Sequence, residues 1–354
     1  MTQHDAAPTD RDPPTIWIGT FAGGGGAGLY PLTRSSERLV PDAAYTDMLN
    51  GSFGTYSPRF DLWYVVDERD SGMLGTYRQT RSGWQSLGTI TTAGAAPCHV
   101  ALDAAQSCIA VANYMSGSVA LYRLDPTSGL PIGPPSTYAN TGNGPNRERQ
   151  QAPHAHWVGF GLDNEVLYAT DLGTDEVMAF AFDANRGTLD TPRTAFAAPP
   201  GSGPRHLLFH ARHQHLAYLA CELTSTLIVL DVQGGGRLDH HATLSTLPAG
   251  WQGPNIVAHI GANASGDRLY VSNRGHDSIA VFALDVHGDA TPIQHIASGG
   301  ESPRFFLILE EERRMVVVHE RDQRVTMLDI LPDGTLAPTG LAVTVPGAAF
   351  ALLS

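Results

Sequence analysis

The segment Leu269-Tyr270-Val271-Ser272-Asn273 is a short apolar run that ends in a polar residue, and Ser278-Ile279-Ala280-Val281-Phe282 follows it across a turn. Apolar and β-branched runs of this length, bounded by turn residues, predict two paired β-strands. The first run has six counterparts along the chain, each with an aromatic or β-branched centre. They lie at 16–19, 63–67, 109–113, 167–171, 217–220 and 315–319.

The seven runs recur at a nearly constant spacing. Their third residues fall at positions 18, 65, 111, 169, 219, 271 and 317, which are 46 to 58 residues apart. A period of about 40–50 residues corresponds to one four-stranded propeller blade. The sequence therefore predicts an all-β fold, a seven-bladed β-propeller of four-stranded antiparallel blades with very little helix. We expect residues 15–354 to form this single domain and the polar residues 1–14 to be a disordered tail.

Ring closure requires strands from both ends of the chain in one blade, because this removes the free sheet edges. The run Leu341-Ala342-Val343-Thr344-Val345 is expected to join the blade that holds the N-terminal strand. The longest spacing contains residues 141–153, which are rich in Gly, Asn and Pro and predict an inserted loop. Arg147 and Arg149 on this loop would either cover a central pocket or lie in solvent.

Composition limits the classes of partner. The 354 residues carry a net charge of −13, which disfavours binding to nucleic acid or anionic membranes. All 22 basic residues are arginines, the residue type best suited to carboxylates and phosphates. No run is long and apolar enough to span a membrane, and the first residues do not suggest a signal peptide. Three cysteines without metal-site spacing favour a reduced, cytoplasmic setting, with no metal and no cofactor.

Polar motifs lie beside several of the runs. Equivalent positions of successive blades converge on the central channel of a propeller, so these motifs predict one shared pocket. The motifs are Pro153-His154-Ala155-His156, Gly203-Pro204-Arg205-His206, Cys221-Glu222-Leu223, Asn273-Arg274-Gly275-His276 and Ser302-Pro303-Arg304-Phe305, with an echo of the last at Ser57-Pro58-Arg59-Phe60.

Three of these motifs resemble the bacterial 6-phosphogluconolactonase family, together with Asp171-Leu172-Gly173-Thr174-Asp175 and Ile18-Gly19-Thr20-Phe21. The three are Pro153-His154-Ala155-His156, Gly203-Pro204-Arg205-His206 and Asn273-Arg274-Gly275-His276. That family is a seven-bladed propeller and includes the fungal 3-carboxy-cis,cis-muconate lactonising enzymes. The resemblance covers nearly the whole chain. It implies hydrolysis of a sugar lactone, above all 6-phosphogluconolactone in the pentose phosphate pathway, by a carboxylic ester hydrolase. The catalytic residues that it implies are His156, Arg205, Glu222 and Arg274.

Opening a lactone with water needs a base, donors for the oxyanion and a proton for the leaving alkoxide. Glu222 could be the base and His156 an acid or electrophile, while Arg205 and Arg274 could hold a phosphate or carboxylate. Neighbouring residues are expected to bind substrate. These are His154, His206, Asn273 and Arg304.

Several alternatives remain open. His154 could face the pocket instead of His156, because alternate strand residues share a face. Arg205 and Arg274 would be structural if they paired with blade aspartates. The function could instead be a muconate-type lactonising cycloisomerase or a non-catalytic binding propeller. A deep arginine-lined pocket would favour an enzyme acting on a small anionic sugar lactone or carboxylated substrate, in a monomer or weak oligomer.

Overall fold

The computed structural model describes residues 15–35, 37–81 and 83–354, so the expected tail at 1–14 lies outside the described residues. Short turns join short strands throughout this part of the chain, and its helical residues form only two single 3-10 turns, Ala22–Gly24 and Gly234–Gly236. The prediction of an all-β fold with very little helix is confirmed.

The described residues form 29 β-strands, numbered in chain order. The first fourteen are β1 (Ile16–Thr20), β2 (Tyr30–Arg34), β3 (Leu39–Pro41), β4 (Gly51–Ser57), β5 (Leu62–Asp67), β6 (Met73–Thr80), β7 (Gly83–Thr91), β8 (Pro97–Leu102), β9 (Cys108–Asn113), β10 (Ser118–Leu124), β11 (Pro131–Ala139), β12 (Ala155–Phe160), β13 (Val166–Asp171) and β14 (Glu176–Asp183). The others are β15 (Thr188–Leu189), β16 (Arg193–Ala197), β17 (Pro204–Phe209), β18 (Leu216–Cys221), β19 (Thr226–Val232), β20 (Leu238–Ser245), β21 (Ile256–Ala262), β22 (Arg268–Arg274), β23 (Ser278–Leu284), β24 (Ala290–Ala297), β25 (Pro303–Leu309), β26 (Arg314–His319), β27 (Arg324–Ile330), β28 (Leu336–Thr344) and β29 (Ala348–Leu353).

These strands form seven antiparallel sheets, which confirms the seven-bladed propeller. From the channel outwards the blades are β4 to β7, β8 to β11, β12 to β16, β17 to β20, β21 to β24, β25 to β28, and β29 with β1, β2 and β3. In the third blade the outer strand is split, because both β15 and β16 pair with β14. The seven repeated sequence runs are the second strands of the blades. Buried side chains of neighbouring blades pack together between the sheets.

The ring closes where β29 pairs antiparallel with β1, with Ile16 opposite Leu353 and Ile18 opposite Ala351. The expected closure by both termini is therefore confirmed, but the predicted strand was wrong. Residues 341–344 lie in β28 and pair with β27 as the outer strand of the preceding blade. The physical reason is burial: only two of the nine residues of β28 are buried, whereas five of the six residues of β29 are buried, as an innermost strand requires.

A ring of aromatic side chains fills the channel beneath the polar motifs. Each inner strand contributes one ring, and contacting rings have centroids 4.1 to 5.6 Å apart, within the range of favourable aromatic pairs. These aromatic side chains form the floor of any pocket that lies above them. Its members are Phe53, His99, Trp157, His206, His259, Phe305 and Phe350.

Phe350→Ala tests the role of the closing strand in this ring. Phe350 is buried, and its ring lies 4.8 Å from that of Phe305 and 5.3 Å from that of Phe53. We expect the free energy of unfolding in urea to fall by about 3–5 kcal/mol, since a large buried side chain leaves a cavity. Val286→Ala, at a side chain 79% exposed, is the control and should change it by less than about 0.5 kcal/mol. Equal stability of the two variants would contradict this role.

Candidate active site

A β-bulge near the start of each inner strand places one side chain over the aromatic floor. In β17, for example, Pro204 lies opposite Cys221 and His206 lies opposite Ala220, so Arg205 is the extra residue between them. A bulge bends the strand and re-aims the side chain of its extra residue. A one-residue shift is present near the same end of every other inner strand. In four of the inner strands the extra residues are Cys98, His156, Arg205 and Arg304.

A second set of side chains comes from the ends of the second strands. Antiparallel pairing places each of these ends beside the start of an inner strand, as Cys221 lies opposite Pro204. The next residue of the chain therefore reaches the same mouth of the channel. Residues in this position are Glu68, Tyr114, Glu222 and Glu320, and Arg274 is the last residue of β22.

The two sets enclose a cavity of about 190 Å³ at this mouth. Its depth follows from the exposure of the side chains, which is 35% for Arg149, 3% for Arg205 and 1% for Glu222. Arg149 therefore lies at the entrance, and Arg205 and Glu222 lie at the bottom. The cavity is lined by Glu68, Cys98, Tyr114, Arg149, His156, Arg205, Glu222, Arg274 and Arg304.

The Glu222 carboxylate joins three arginines. Its Oε1 accepts a hydrogen bond from Nη2 of Arg149 at 2.6 Å, and its Oε2 accepts one from Nε of Arg205 at 2.8 Å. Nη2 of Arg274 is 3.0 Å from the same Oε2. Burial alone would raise the pKa of Glu222, but Arg274, Arg205, His156 and Arg149 together hold it well below its usual range. The carboxylate is therefore fixed in its charged form and is a weak proton acceptor.

Two further carboxylates hold the upper arginines. Glu320 lies 3.3 Å from Nη1 of Arg274 and 3.5 Å from Nη1 of Arg304, and Nη2 of Arg304 lies 3.4 Å from Oε2 of Glu68. Burial raises the pKa of Glu68, although Arg304 opposes this. With Arg149 and Arg205, four guanidinium groups face three carboxylates, so one positive charge is left in excess when all are ionised. Such a pocket attracts small anionic or oxyanionic groups.

His156 provides the neutral base of the cavity. Its Nε2 lies 4.0 Å from Oε2 of Glu222, and its Nδ1 lies 3.8 Å from the thiol sulfur of Cys98. Burial, reinforced by the nearby charge of Arg205, lowers the pKa of His156 well below its usual range, although Glu222 opposes this. The imidazole is therefore uncharged at neutral pH, and one of its nitrogens keeps a free lone pair.

The structure brings together the four residues predicted to be catalytic, His156, Arg205, Glu222 and Arg274, and it adds Arg304 from the predicted substrate-binding set. Of the two histidines on the same strand face, it is His156 that lines the cavity. The arginines pair with glutamates and not with blade aspartates.

Three residues predicted to bind substrate do not line this cavity. His154 stacks on the ring of Tyr114 at 4.4 Å and so supports that side chain from behind. His206 belongs to the aromatic floor, with its Nε2 3.0 Å from Nη1 of Arg205. Asn273 is buried away from the cavity, where its amide donates to the backbone carbonyl of Thr246 at 2.8 Å. Short-range spacing could not distinguish these supporting roles from contact with a ligand.

Three further lining residues, Glu68, Cys98 and Tyr114, were not predicted from the sequence, nor was Glu320, which pairs with Arg274 and Arg304. The sequence also leaves the role of Arg149 open. The sequence does carry a signal for some of them. Pro97-Cys98-His99 repeats the pattern of Pro204-Arg205-His206, and Glu68 and Glu320 directly follow second strands, as Glu222 does.

The motif at Ser57-Pro58-Arg59-Phe60 misleads, because it lies in the turn at the far end of β4. There Arg59 donates a hydrogen bond to the backbone carbonyl of Ala105 at 2.8 Å. The likeness to Ser302-Pro303-Arg304-Phe305 is therefore confined to sequence, and Arg59 does not share the position of Arg304.

A cluster of metal-ligating side chains is absent from the described part of the chain. This part contains no group of three or more His, Cys, Asp or Glu side chains arranged to hold a metal ion. Its cysteines, Cys98, Cys108 and Cys221, are buried free thiols. None of its helices is long and apolar enough to cross a membrane.

The family model described as "Lactonase, 7-bladed beta-propeller" matches residues 15–352. The chain belongs to this lactonase family. This confirms the resemblance seen in the sequence and makes the chain an enzyme of the lactone-hydrolysing class of carboxylic ester hydrolases. The 6-phosphogluconolactonase of Bacillus subtilis is 28% identical to it over 343 residues, which cover 92% of this chain and 97% of the relative.

Solved structures of similar proteins agree with the family. The periplasmic gluconolactonase of Pseudomonas aeruginosa is 26% identical with a TM-score of 0.87, and the match covers 97% of this chain and 99% of the other. A protein from Lactobacillus plantarum is 29% identical, also with a TM-score of 0.87, and the match covers 97% of this chain and 100% of the other. The likeness therefore extends over the whole propeller.

The histidines beneath the cavity link stability to pH. Burial lowers the pKa values of His99, His206 and His259, and Arg205 lowers all three further, so that the pKa of His259 is about 3. The unfolded chain binds protons at these residues near the ordinary pKa of about 6.5, whereas the folded chain does not. Their contribution to stability is therefore present above pH 6.5 and is lost as the pH falls towards the folded pKa values.

His259→Phe isolates one of these contributions. Nδ1 of His259 is buried without a hydrogen-bond partner, and the floor carries phenylalanine in three other blades, so the new ring should fit. Between pH 7 and pH 5 the variant should lose less free energy of unfolding than the parent, by on the order of 1–2 kcal/mol. Urea unfolding at both pH values measures this.

His241→Phe is the matched control for this comparison. His241 is exposed, and hydrogen bonding to Asp231 raises its pKa, so its contribution to stability has the opposite dependence on pH. This control should not reduce the loss at pH 5. An unchanged loss in His259→Phe would show that His259 is protonated in the folded chain.

Proposed function

We propose that this lactonase hydrolyses a sugar lactone, with 6-phosphogluconolactone as the preferred substrate and 6-phosphogluconate as the product. The observation that carries the proposal is the cavity itself, in which four arginines, paired with three glutamates, surround a neutral histidine. The excess of positive charge suits an anionic substrate. The name of the Bacillus subtilis relative supports the phosphorylated lactone, and the name of the Pseudomonas aeruginosa protein makes the unphosphorylated lactone the first comparison.

In the proposed reaction His156 is the general base. It takes a proton from a water molecule while the water oxygen bonds to the lactone carbonyl carbon. The imidazolium so formed lies 4.0 Å from the Glu222 carboxylate, which stabilises it. When the ring C–O bond of the tetrahedral intermediate breaks, the imidazolium returns the proton to the leaving alkoxide. This assignment reverses the roles that the sequence suggested for Glu222 and His156, because Glu222 is bound by three guanidinium groups and has a depressed pKa.

Arg205 and Arg274 are the proposed donors to the oxyanion. Burial, followed by the charge of Arg274, lowers the pKa of Arg205 to about 10, so its guanidinium still carries a full charge at pH 7. Fixed donors at a buried position stabilise developing negative charge without having to reorient. Glu222 binds both of these arginines and also Arg149, and so fixes the positions of all three guanidinium groups.

The setting of the enzyme is part of the same proposal. Three free thiols suit a reducing compartment, so we propose a cytoplasmic enzyme of the pentose phosphate pathway, monomeric or weakly oligomeric. Because the chain carries a net negative charge, nucleic acid and membrane surfaces are not among its proposed partners. Fractionation of the source cells and the mass of the purified protein in solution test these two points.

Hydrolysis of freshly prepared 6-phosphogluconolactone tests the reaction. The rate is compared with spontaneous opening in the same buffer. His156→Asn should lower kcat by about 10²–10⁴-fold, the usual contribution of a general base. His241→Asn, at an exposed histidine remote from the cavity, should have the parent rate.

The pH dependence of kcat/KM supplies a second readout for His156. Since its pKa lies well below 6.5, the parent enzyme should keep its rate down through pH 6.5, and the acid limb should begin lower. A rate no faster than spontaneous opening would reject this substrate. Full activity of His156→Asn would reject the base.

A further inference from the structure

We propose that a second cavity beside the catalytic one binds the phosphate of the substrate, and that Arg321 selects phosphorylated lactones. The inference rests on the proposed function and adds a subsite to it. In 6-phosphogluconolactone the reacting carbonyl carbon is in the lactone ring, whereas the phosphate ester is carried outside the ring on C6. The two groups therefore need separate, neighbouring binding positions, and the cavity of about 190 Å³ holds the reacting one.

The second cavity has a volume of about 320 Å³ and shares one side chain with the first. Arg274 lines both, so a substrate that touches Arg274 with its ring can extend past it. Other residues around this space are Asn255, Gly275, Asp277, Ser302 and Arg321.

Arg321 is the unpaired cation of this region. The arginines of the catalytic cavity are each held by a carboxylate: Arg149 and Arg205 by Glu222, and Arg304 by Glu68 and Glu320. By contrast, the exposed Arg321 side chain makes no ion pair or hydrogen bond with residues 15–35, 37–81 or 83–354. A phosphate monoester carries about −1.5 to −2 charges at pH 7 and accepts the paired N–H donors of a guanidinium.

Arg274 supplies an independent observation. Its side chain is nine-tenths buried; Nη1 lies 3.3 Å from Oε2 of Glu320 and Nη2 lies 3.0 Å from Oε2 of Glu222. Its Nε–H, however, is buried and has no hydrogen-bond partner. A buried donor without an acceptor is unfavourable, and a bound oxyanion would satisfy it. The residue with the unpaired donor and the unpaired cation thus line the same cavity.

Asp277 also lines this cavity. Its negative charge is the reason why the preference for phosphorylated lactones should depend on Arg321. Its Oδ1 accepts hydrogen bonds from the backbone N–H groups of Gly275 at 3.0 Å and Ser302 at 2.8 Å, which hold the carboxylate in place. The carboxylate repels an anion unless a cation opposes it. Arg321 is the cation available, so removing its charge should penalise phosphorylated ligands and spare neutral ones.

Arg321→Gln tests the proposal in kinetic experiments with two substrates. We expect KM for 6-phosphogluconolactone to rise at least tenfold with kcat within about twofold of the parent. The kcat/KM for glucono-1,5-lactone should stay within about twofold, because this lactone has no phosphate. Arg212→Gln is the matched control: Arg212 is also exposed, but it follows the opposite end of inner strand β17 and should change neither substrate.

Calorimetric binding of 6-phosphogluconate and gluconate separates this proposal from the proposed function. Tenfold weaker binding of 6-phosphogluconate to Arg321→Gln, with gluconate unchanged, supports the subsite even if the parent hydrolyses no lactone. Parent-like binding and KM for the phosphorylated compounds would overturn the subsite while leaving lactone hydrolysis intact. An equal loss for phosphorylated and unphosphorylated compounds would overturn it as well, since it would show a general effect on the pocket.

Discussion

The Glu222 carboxylate and the three guanidinium groups that surround it determine the shape and the charge of the cavity. Arg149, Arg205 and Arg274 come from a loop and two different blades, and without a shared anion their charges would repel one another. Buried charges of this kind are stable only as a complete, hydrogen-bonded set. The same contacts depress the pKa of Glu222, and for that reason the proposed reaction assigns the proton transfer to His156.

The propeller makes this arrangement possible through one repeated local feature. A bulge near the start of an inner strand turns an extra side chain towards the mouth, and the next residue of the strand joins the aromatic floor. In the fourth blade these two residues are Arg205 and His206, which lie in contact. The blades therefore supply a rigid scaffold on which the chemistry is set by the residue type at each bulge.

Much of this could be predicted from the sequence because the second strands are buried on both faces and recur with the period of a blade. Glu222 and Arg274 could be singled out for the same reason, since Glu222 directly follows such a strand and Arg274 ends one. The closing strand β29 was not, because its apolar run is short and follows a similar run in β28. The buried position of Asn273, outside the cavity lining, could not be predicted, because local spacing does not tell a buried hydrogen-bond partner from a ligand contact. Arg149 reaches Glu222 across 73 residues, a contact that only tertiary structure reveals.

Glu222 and His156 are proposed to act as one catalytic unit, and the mechanism depends on this coupling. A double-mutant cycle on kcat/KM for 6-phosphogluconolactone, with Glu222→Gln, His156→Asn and the double variant, tests it most directly, after each protein has been shown to be folded. Groups that act together give strongly non-additive losses. We expect the double variant to be little worse than His156→Asn alone. Losses that multiply across the two sites would contradict the coupling.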